Sequence, residues 1–310
     1  MARKQSFSVQ APAAVVMIRP HHFTVNTETA TDNSFQINVP LSEQLAPTAY
    51  NEITKAVEQL LAVGIGVHLY EDESKKTPDS VFPNNWFSTH AGGYIAIYPM
   101  KAPNRRLERR YDIIEDLKRN FRVQEVIDYS GLEPDGLFLE GTGAMVLDHI
   151  DRVAYAVKSD RTDPIALERF CTQFNFEPMT FDAVDKNNTP IYHTNVLMCI
   201  ATEFVMIGLD MISNKARAQE IISRFEQSGR KIINLTSEQI HQFAGNAIEL
   251  KGKDGRYLAL SGTAYRSLTP NQIAIIEESA TPIVLEIPTI EQAGGSVRCT
   301  IAGIHLSSRF

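Results

Sequence analysis

The chain has 310 residues, 43% of them hydrophobic, with Lys+Arg 30 against Asp+Glu 37 and a formal net charge of −7. That length can bury a large core and by itself allows about two domains, and the acidic balance offers no basic surface to nucleic acid or to an anionic membrane. Three cysteines, at 171, 199 and 299, make no disulfide framework, and no Cys/His cluster has zinc-ligand spacing, so a free thiol without metal or cofactor is the expected cysteine chemistry.

The N-terminal "MARKQSFSVQAPAAVVMIRPHH" begins with basic residues but has only six consecutive apolar residues, Ala13 to Ile18. That is too short for a signal sequence or a membrane span, and a cytoplasmic location is expected. The run reads as a first strand; "RPHHF" follows it at 19–23 and is expected to border a pocket, with His21 and His22 as loop residues rather than metal ligands. A helical pattern, "TAYNEITKAVEQLLAVG", and a strand, "GVHLYE", come next. From there a unit repeats. Its first copy has the hairpin "FPNNWFSTHAGGYIAIYPM", the helix "RRLERRYDIIEDLKRNF" and the strand "RVQEVIDY". The second has "LEGTGAMVLDHIDRVAYAVKSD", "PIALERFCTQF" and "EPMTFDAV"; the third has "YHTNVLMCIATEFVMIGLD", "KARAQEIISRFEQSG" and "KIINLT". The fourth has "FAGNAIELKGKDGRYLALSGT", "TPNQIAIIEES" and "PIVLEIP", with Thr269 and Gln272 spaced as a capping box and Pro270 at the first helical position.

Equivalent entry positions in these units are Asn85, Gly143, Asn195 and Asn246, which are 58, 52 and 51 residues apart, and a further 53 residues lead to Cys299 in "GGSVRCTIAGIHL". A period near 50 predicts an α/β ring of five strand-strand-helix-strand units, the fifth closed by both termini, as a single domain over residues 1–310. Ring closure would bring the entry segments together at the axis: Asn84 and Asn85, Glu140, His193 and Asn195, and Cys299. Buried polar groups cost free energy unless they are paired, so such a cluster suits a site better than a core. A thiolate at Cys299 beside an imidazolium is a nucleophile, His193 is placed to exchange protons, and Glu140 to hold its ring. Cys171 and Cys199, on a helix face and inside a strand run, read as core thiols, and Asn246 as structural.

These residues resemble the guanidino-modifying (pentein) superfamily of arginine deiminases, dimethylarginine hydrolases and amidinotransferases, over roughly residues 12–308, and most closely the branch named for citrulline utilization hydrolases. The resemblance implies a five-bladed α/β propeller. "LEGTG" stands where the family has Glu-Gly-Gly-Asp and implies that Glu140 is the histidine's carboxylate partner. "YHTN" stands at the deiminases' His-x-Asp and implies acid/base work for His193; "GGSVRC" implies the nucleophile role for Cys299. "PDSVFPNN" resembles the dimethylarginine hydrolases' Pro-Asp-Ser-x-Phe-x-Glu-Asp, which places Asp79 at a substrate amino group. "NRRLE" and "SDRTD" put Arg105 and Arg161 where that family has its carboxylate-binding arginines.

The chain departs from the family where aspartates of the second and fourth motifs bind a guanidinium: here stand Asn85 and Asn195. Aspartate only accepts hydrogen bonds, whereas asparagine also donates and carries no charge, which favours a neutral ureido group. The expected activity is cysteine hydrolysis of the ureido group of citrulline or a related amino acid, through a covalent Cys intermediate, to ornithine, CO₂ and ammonia. The alternatives are a guanidino substrate handled as in deiminases, dimethylarginine hydrolases or amidinotransferases, and a catalytically inactive binding propeller, against which the intact Cys299, His193 and Glu140 argue. A closed central pocket disfavours a protease. The expected partner is a small amino acid, with neither nucleic acid nor membrane; the oligomeric state stays open, a homodimer included.

Overall fold

The computed structural model describes residues 9–30, 32–37 and 43–310, and these form five three-stranded sheets, one for each unit of the sequence repeat. The first sheet to begin is the last to be completed. Strand β1 (Ala14–Pro20) pairs in parallel with β2 (Gly66–Asp72), and its other edge waits for the C-terminal end of the chain. The next four sheets are sequential: β3–β4–β5 (Phe87–His90, Tyr94–Ile97, Glu125–Asp128) and β6–β7–β8 (Met145–Asp148, Val153–Val157, Glu177–Phe181) come first. They are followed by β9–β10–β11 (Met198–Ile200, Phe204–Ile207, Lys231–Asn234) and β12–β13–β14 (Ile248–Lys251, Arg256–Ser261, Thr281–Leu285). Finally β15 (Ala302–Ile304) pairs antiparallel with β1, setting Ala14 against Ile304 and Val16 against Ala302. In the four sequential sheets a tight hairpin makes the first pairing antiparallel, in the first sheet the C-terminal β15 supplies the antiparallel partner, and in all five the crossover through a helix makes the other pairing parallel. This is the expected five-bladed α/β propeller.

The helices between the sheets follow from local chemistry. In Pro164–Phe174, Asp163 accepts from the backbone N–H groups of Ile165 and Ala166, and Pro164 takes the first position, where no N–H is needed. Ala166, Leu167, Phe170, Cys171 and Phe174 are buried, a spacing that keeps one face on the sheet, and Asn175 ends the helix at φ 54°. Helix Pro270–Glu277 has the expected reciprocal capping box of Thr269 and Gln272. The expected helix over "RRLERRYDIIEDLKRNF" is broken in two: Pro103–Glu108 is a 3₁₀ turn, Arg109 and Arg110 are extended, and only Tyr111–Asn120 is α-helical. The cause is tertiary, because Arg105 and Glu108 turn into the interior to pair with each other. Cys171 and Cys199 are buried thiols, and burial pushes each up to about 12.

Each first strand of a sheet faces the axis and is preceded by a short turn. The turns are Pro83–Asn85, Gly141–Ala144, Thr194–Leu197, the segment around Asn246, and Val297–Thr300. The first of these touches both Gly141–Ala144 and Val297–Thr300, and Gly141–Ala144 touches Thr194–Leu197. Residues more than 200 positions apart in sequence thereby share one end of the axis.

Candidate active site

Cys299 lies in the turn Val297–Thr300, and its Sγ accepts hydrogen bonds from two side-chain amides, Asn195 Nδ2 and Asn246 Nδ2, each at 3.2 Å. Two N–H donors on one sulfur favour negative charge there. Asn246 also donates to the carbonyl of Asn195 at 2.9 Å, so the pair is braced as a unit. The Oδ1 atoms of both asparagines are buried and have no hydrogen-bond partner among the described residues. Asn246, read as structural from sequence, is therefore part of the site; its place at a repeat-equivalent position was the available signal.

His193 precedes the turn Thr194–Leu197 and places Nε2 at 2.9 Å from Glu140 Oε2. Glu140 is 0% exposed, and its carboxylate also receives the backbone N–H of Lys101 at 3.1 Å and Arg161 Nη1 at 3.3 Å, with Arg105 Nη1 at 3.7 Å. Burial alone would raise this carboxyl, but Arg161, the His193 hydrogen bond and Arg105 outweigh it and hold it well below the usual carboxylate range. An ionised carboxylate can only accept, so the His193 proton sits on Nε2 and Nδ1 is left as the acceptor. Burial, opposed by Glu140, lowers His193 to about 4, which keeps the ring neutral at physiological pH and replaces the expected imidazolium beside Cys299. Tyr192 packs its ring 4.6 Å from that of His193 and donates its hydroxyl to the Gly294 carbonyl at 2.6 Å.

Gly143 lets these groups approach. A Cβ there would sit 2.1 Å from Asn85 Nδ2 and 2.8 Å from His193 Nδ1. Gly143→Ala is expected to destabilise by about 1–3 kcal/mol through overpacking, whereas Gly131→Ala, which meets nothing within 4 Å, leaves Tm nearly unchanged; thermal unfolding of the two variants checks this.

A small cavity opens beside Cys299 and His193, and Asp79, Asn85, Arg105 and Arg161 also line it. Glu140 and Asn195 stand behind His193 and Cys299, touching them but not the cavity. Asn84 is buried, outside the cavity wall, with neither side-chain atom hydrogen-bonded among the described residues; its backbone carbonyl accepts from Thr142 Oγ1 at 3.2 Å. Arg105 and Arg161 are 2% and 3% exposed. Arg105 makes a two-pronged pair with Glu108, Nε to Oε1 and Nη2 to Oε2 both at 3.0 Å, donates to Asn85 Oδ1 at 3.1 Å and lies 3.6 Å from Asp79. Arg161 pairs with Asp32 and Glu140. Both guanidinium groups line the cavity while held by the protein's own carboxylates. Asp79 accepts from Asn26 Nδ2 at 2.8 Å, and its Oδ1 is buried without a hydrogen bond. Burial raises this carboxyl against the pull of Arg105.

The segment after β1 behaves differently from the expectation for "RPHHF". His21 pairs with Glu71 at 2.8 Å, His22 is exposed, and neither borders the cavity. Thr29 and Asn33, further along the chain, line it instead. Asn33 reaches over the Gly294 backbone and donates to Ala293 O at 3.3 Å. Nothing in that stretch has periodicity or a motif that would have marked it.

The family model described as N,N-dimethylarginine dimethylhydrolase, eukaryotic, matches residues 19–306. No curated protein matches the sequence. Among solved structures, the N-terminal domain of ArgZ, a cyanobacterial arginine dihydrolase captured as a cysteine-to-serine mutant with substrate, superposes with a TM-score of 0.72 at 17% identity, covering 95% of this chain and 98% of that one. Unliganded AgrE gives a TM-score of 0.74 at 16% identity over 96% of this chain, which spans only 40% of AgrE's length. The dimethylarginine hydrolase of Pseudomonas aeruginosa with citrulline gives 0.63 at 13% identity, covering 94% of this chain and 99% of that one. At such identities the solved structures establish the fold, and the family match over almost the whole sequence adds the lineage: the chain belongs to the N,N-dimethylarginine dimethylhydrolase family of pentein-fold, guanidino-modifying enzymes.

Proposed function

We propose that the protein is a cysteine hydrolase that breaks a C–N bond at the planar carbon of an arginine-derived side chain, and that its substrate is the ureido group of citrulline or a related amino acid. The observation that carries the reading is Cys299 Sγ held by the uncharged amides of Asn195 and Asn246, on one cavity with the neutral His193. Cys299 gives its proton to His193 Nδ1 and attacks the ureido carbon; an amide N–H is a donor for the oxygen as its charge develops. His193 returns the proton to the δ-nitrogen, the C–N bond breaks, ornithine departs and an S-carbamoyl cysteine remains. Water, losing a proton to His193, then adds to the carbamoyl carbon; the C–S bond breaks, the thiol is restored, and the released carbamic acid falls apart to CO₂ and ammonia. Relatives support a covalent route: the N-terminal domain of ArgZ has been seen covalently bonded to a reaction intermediate.

A second reading, a guanidino substrate such as arginine or a methylated arginine, draws on Asp79, whose buried Oδ1 is free of hydrogen bonds on the cavity wall, and on the family match. Ornithine and ammonia release from citrulline, measured beside arginine and dimethylarginine with Cys299→Ala as blank, separates the two. Citrulline turnover that vanishes in the blank supports the ureido reading; turnover of a guanidino substrate alone overturns it. Under the ureido reading, Asn85→Asp, which puts a carboxylate on the cavity wall, shifts the preference toward arginine by about tenfold or more, the value of roughly one charge-assisted hydrogen bond.

The pH profile gives an independent check. His193 has to be neutral to accept the thiol proton, and it is lowered to about 4. The acid limb of kcat/KM is expected to fall away near pH 4, not near the ordinary imidazole value of 6.5, when initial rates are followed from pH 3.5 to 8.

A further inference from the structure

The five axial strands line a second cavity that shares no lining residue with the first. All five contribute to it, through residues such as Phe87, Val146, Met198, Ile248 and Ala302, and histidines at or just beyond three strand ends (His90, His149 and His305) border it as well. Arg298, one residue from Cys299, also stands on this wall. Its Nη1 donates to the Ile301 carbonyl at 2.9 Å, and no carboxylate among the described residues lies within ion-pair distance of it. Glu249 lines the same cavity and is 1% exposed; its Oε2 accepts from Thr202, while Oε1 has no hydrogen bond among the described residues and lies 3.6 Å from Arg256 Nε. His90 Nδ1 is likewise buried without a partner, its Nε2 being held by Ser88 at 2.7 Å.

Burial holds His90 and His149 well below the usual imidazole range and His305 at about 4, so the three rings are uncharged near neutral pH. The ionisable groups left on the cavity wall are then Arg298, whose guanidinium has no carboxylate partner among the described residues, and Glu249, a carboxyl that burial raises against the pull of Thr202 and Arg256 and whose Oε1 has no hydrogen bond among them. A lone anion would meet Glu249 and a lone cation would meet Arg298. A ligand carrying both charges satisfies both, since buried charge is tolerated when paired and hydrogen-bonded. We propose that this second cavity binds a small zwitterionic amino acid, with its carboxylate on Arg298 and its ammonium on Glu249.

Titration calorimetry of the full chain with L-alanine, acetate and methylamine tests this, using Arg298→Met and Glu249→Gln as variants. L-alanine is expected to bind at one site per chain, at least about tenfold tighter than acetate or methylamine, and each variant to weaken it by about tenfold or more. Glu249→Gln keeps an acceptor for Thr202, so it stays informative if Arg298→Met fails to fold. The proposal is overturned by the absence of saturable heat in the millimolar range, by acetate binding as tightly as L-alanine, or by L-alanine binding that survives Glu249→Gln unchanged, which would place the ligand in the first cavity.

Discussion

Cys299→Ala is expected to lower kcat by at least about 10⁴-fold on whichever substrate the wild-type protein turns over, because the covalent route ends with the sulfur and the remaining groups offer only binding and polarisation. The fold should survive. The removed atom occupies a position bounded by two amide donors and makes no ion pair, so the loss is confined to the unpaired N–H groups of Asn195 and Asn246, about 1–3 kcal/mol. Cys299→Ser, which keeps an acceptor for both donors, should recover most of that stability and little of the rate. Stopped rates with a single cooperative unfolding transition, lowered by no more than that loss, are the combined readout; a Cys299→Ala protein that retains even a tenth of the wild-type rate would remove Cys299 from the chemistry.

Glu140→Gln carries the largest expected stability effect. Glu140 is the shared anion of His193, Arg161 and, at 3.7 Å, Arg105, all of them almost fully buried. Taking one charge out of such a network leaves cationic groups undercompensated in a low-dielectric interior and costs about 3–5 kcal/mol, seen as a fall in Tm of about 5–8 °C. Arg161 keeps Asp32 and Arg105 keeps Glu108, which is why the loss is not larger. The sign with pH is fixed. The folded carboxyl is held below its ordinary value, so its contribution is present in full above the usual carboxylate range and is lost as pH falls through it. The wild-type protein should lose stability toward acid more steeply than Glu140→Gln. The variant should also lower the acid limb of any residual activity further, since Glu140 is what raises His193 against burial.

The sequence repeat made most of the ring legible, because hairpin, helix and strand recur at nearly constant spacing and each is coded locally. Entry positions 85, 143, 195 and 299 do meet. What was not legible depended on contacts that leave no local trace. The helix over "RRLERRYDIIEDLKRNF" fails at its first half because Arg105 and Glu108 prefer each other and Asn85 to solvent, which periodicity cannot register. Asn246 looked like a turn residue because asparagine is common in turns; its amide is instead spent on the sulfur. Thr29 and Asn33 came to the cavity wall through a loop of no pattern, positioned by bonds such as Asn26 to Asp79. The motif arginines were found but their surroundings were not, since pairing with Glu108, Asp32 and Glu140 is a property of the assembled ring.

The pairing of β1 with β15 sets a schedule for the whole molecule. A ribosome delivers β1 first and β15 last, and Ala14 cannot meet Ile304 until the residues of the four intervening sheets have been synthesised. Contacts of such long sequence separation are slow to form, because the entropy of closing the loop is lost before the contact rewards it. Cys299 lies three residues before β15, so its thiol takes its seat between Asn195 and Asn246 only when the ring shuts. A nascent chain can complete four blades and still carry that thiol in the open, and the last step of its folding is the one that hides it.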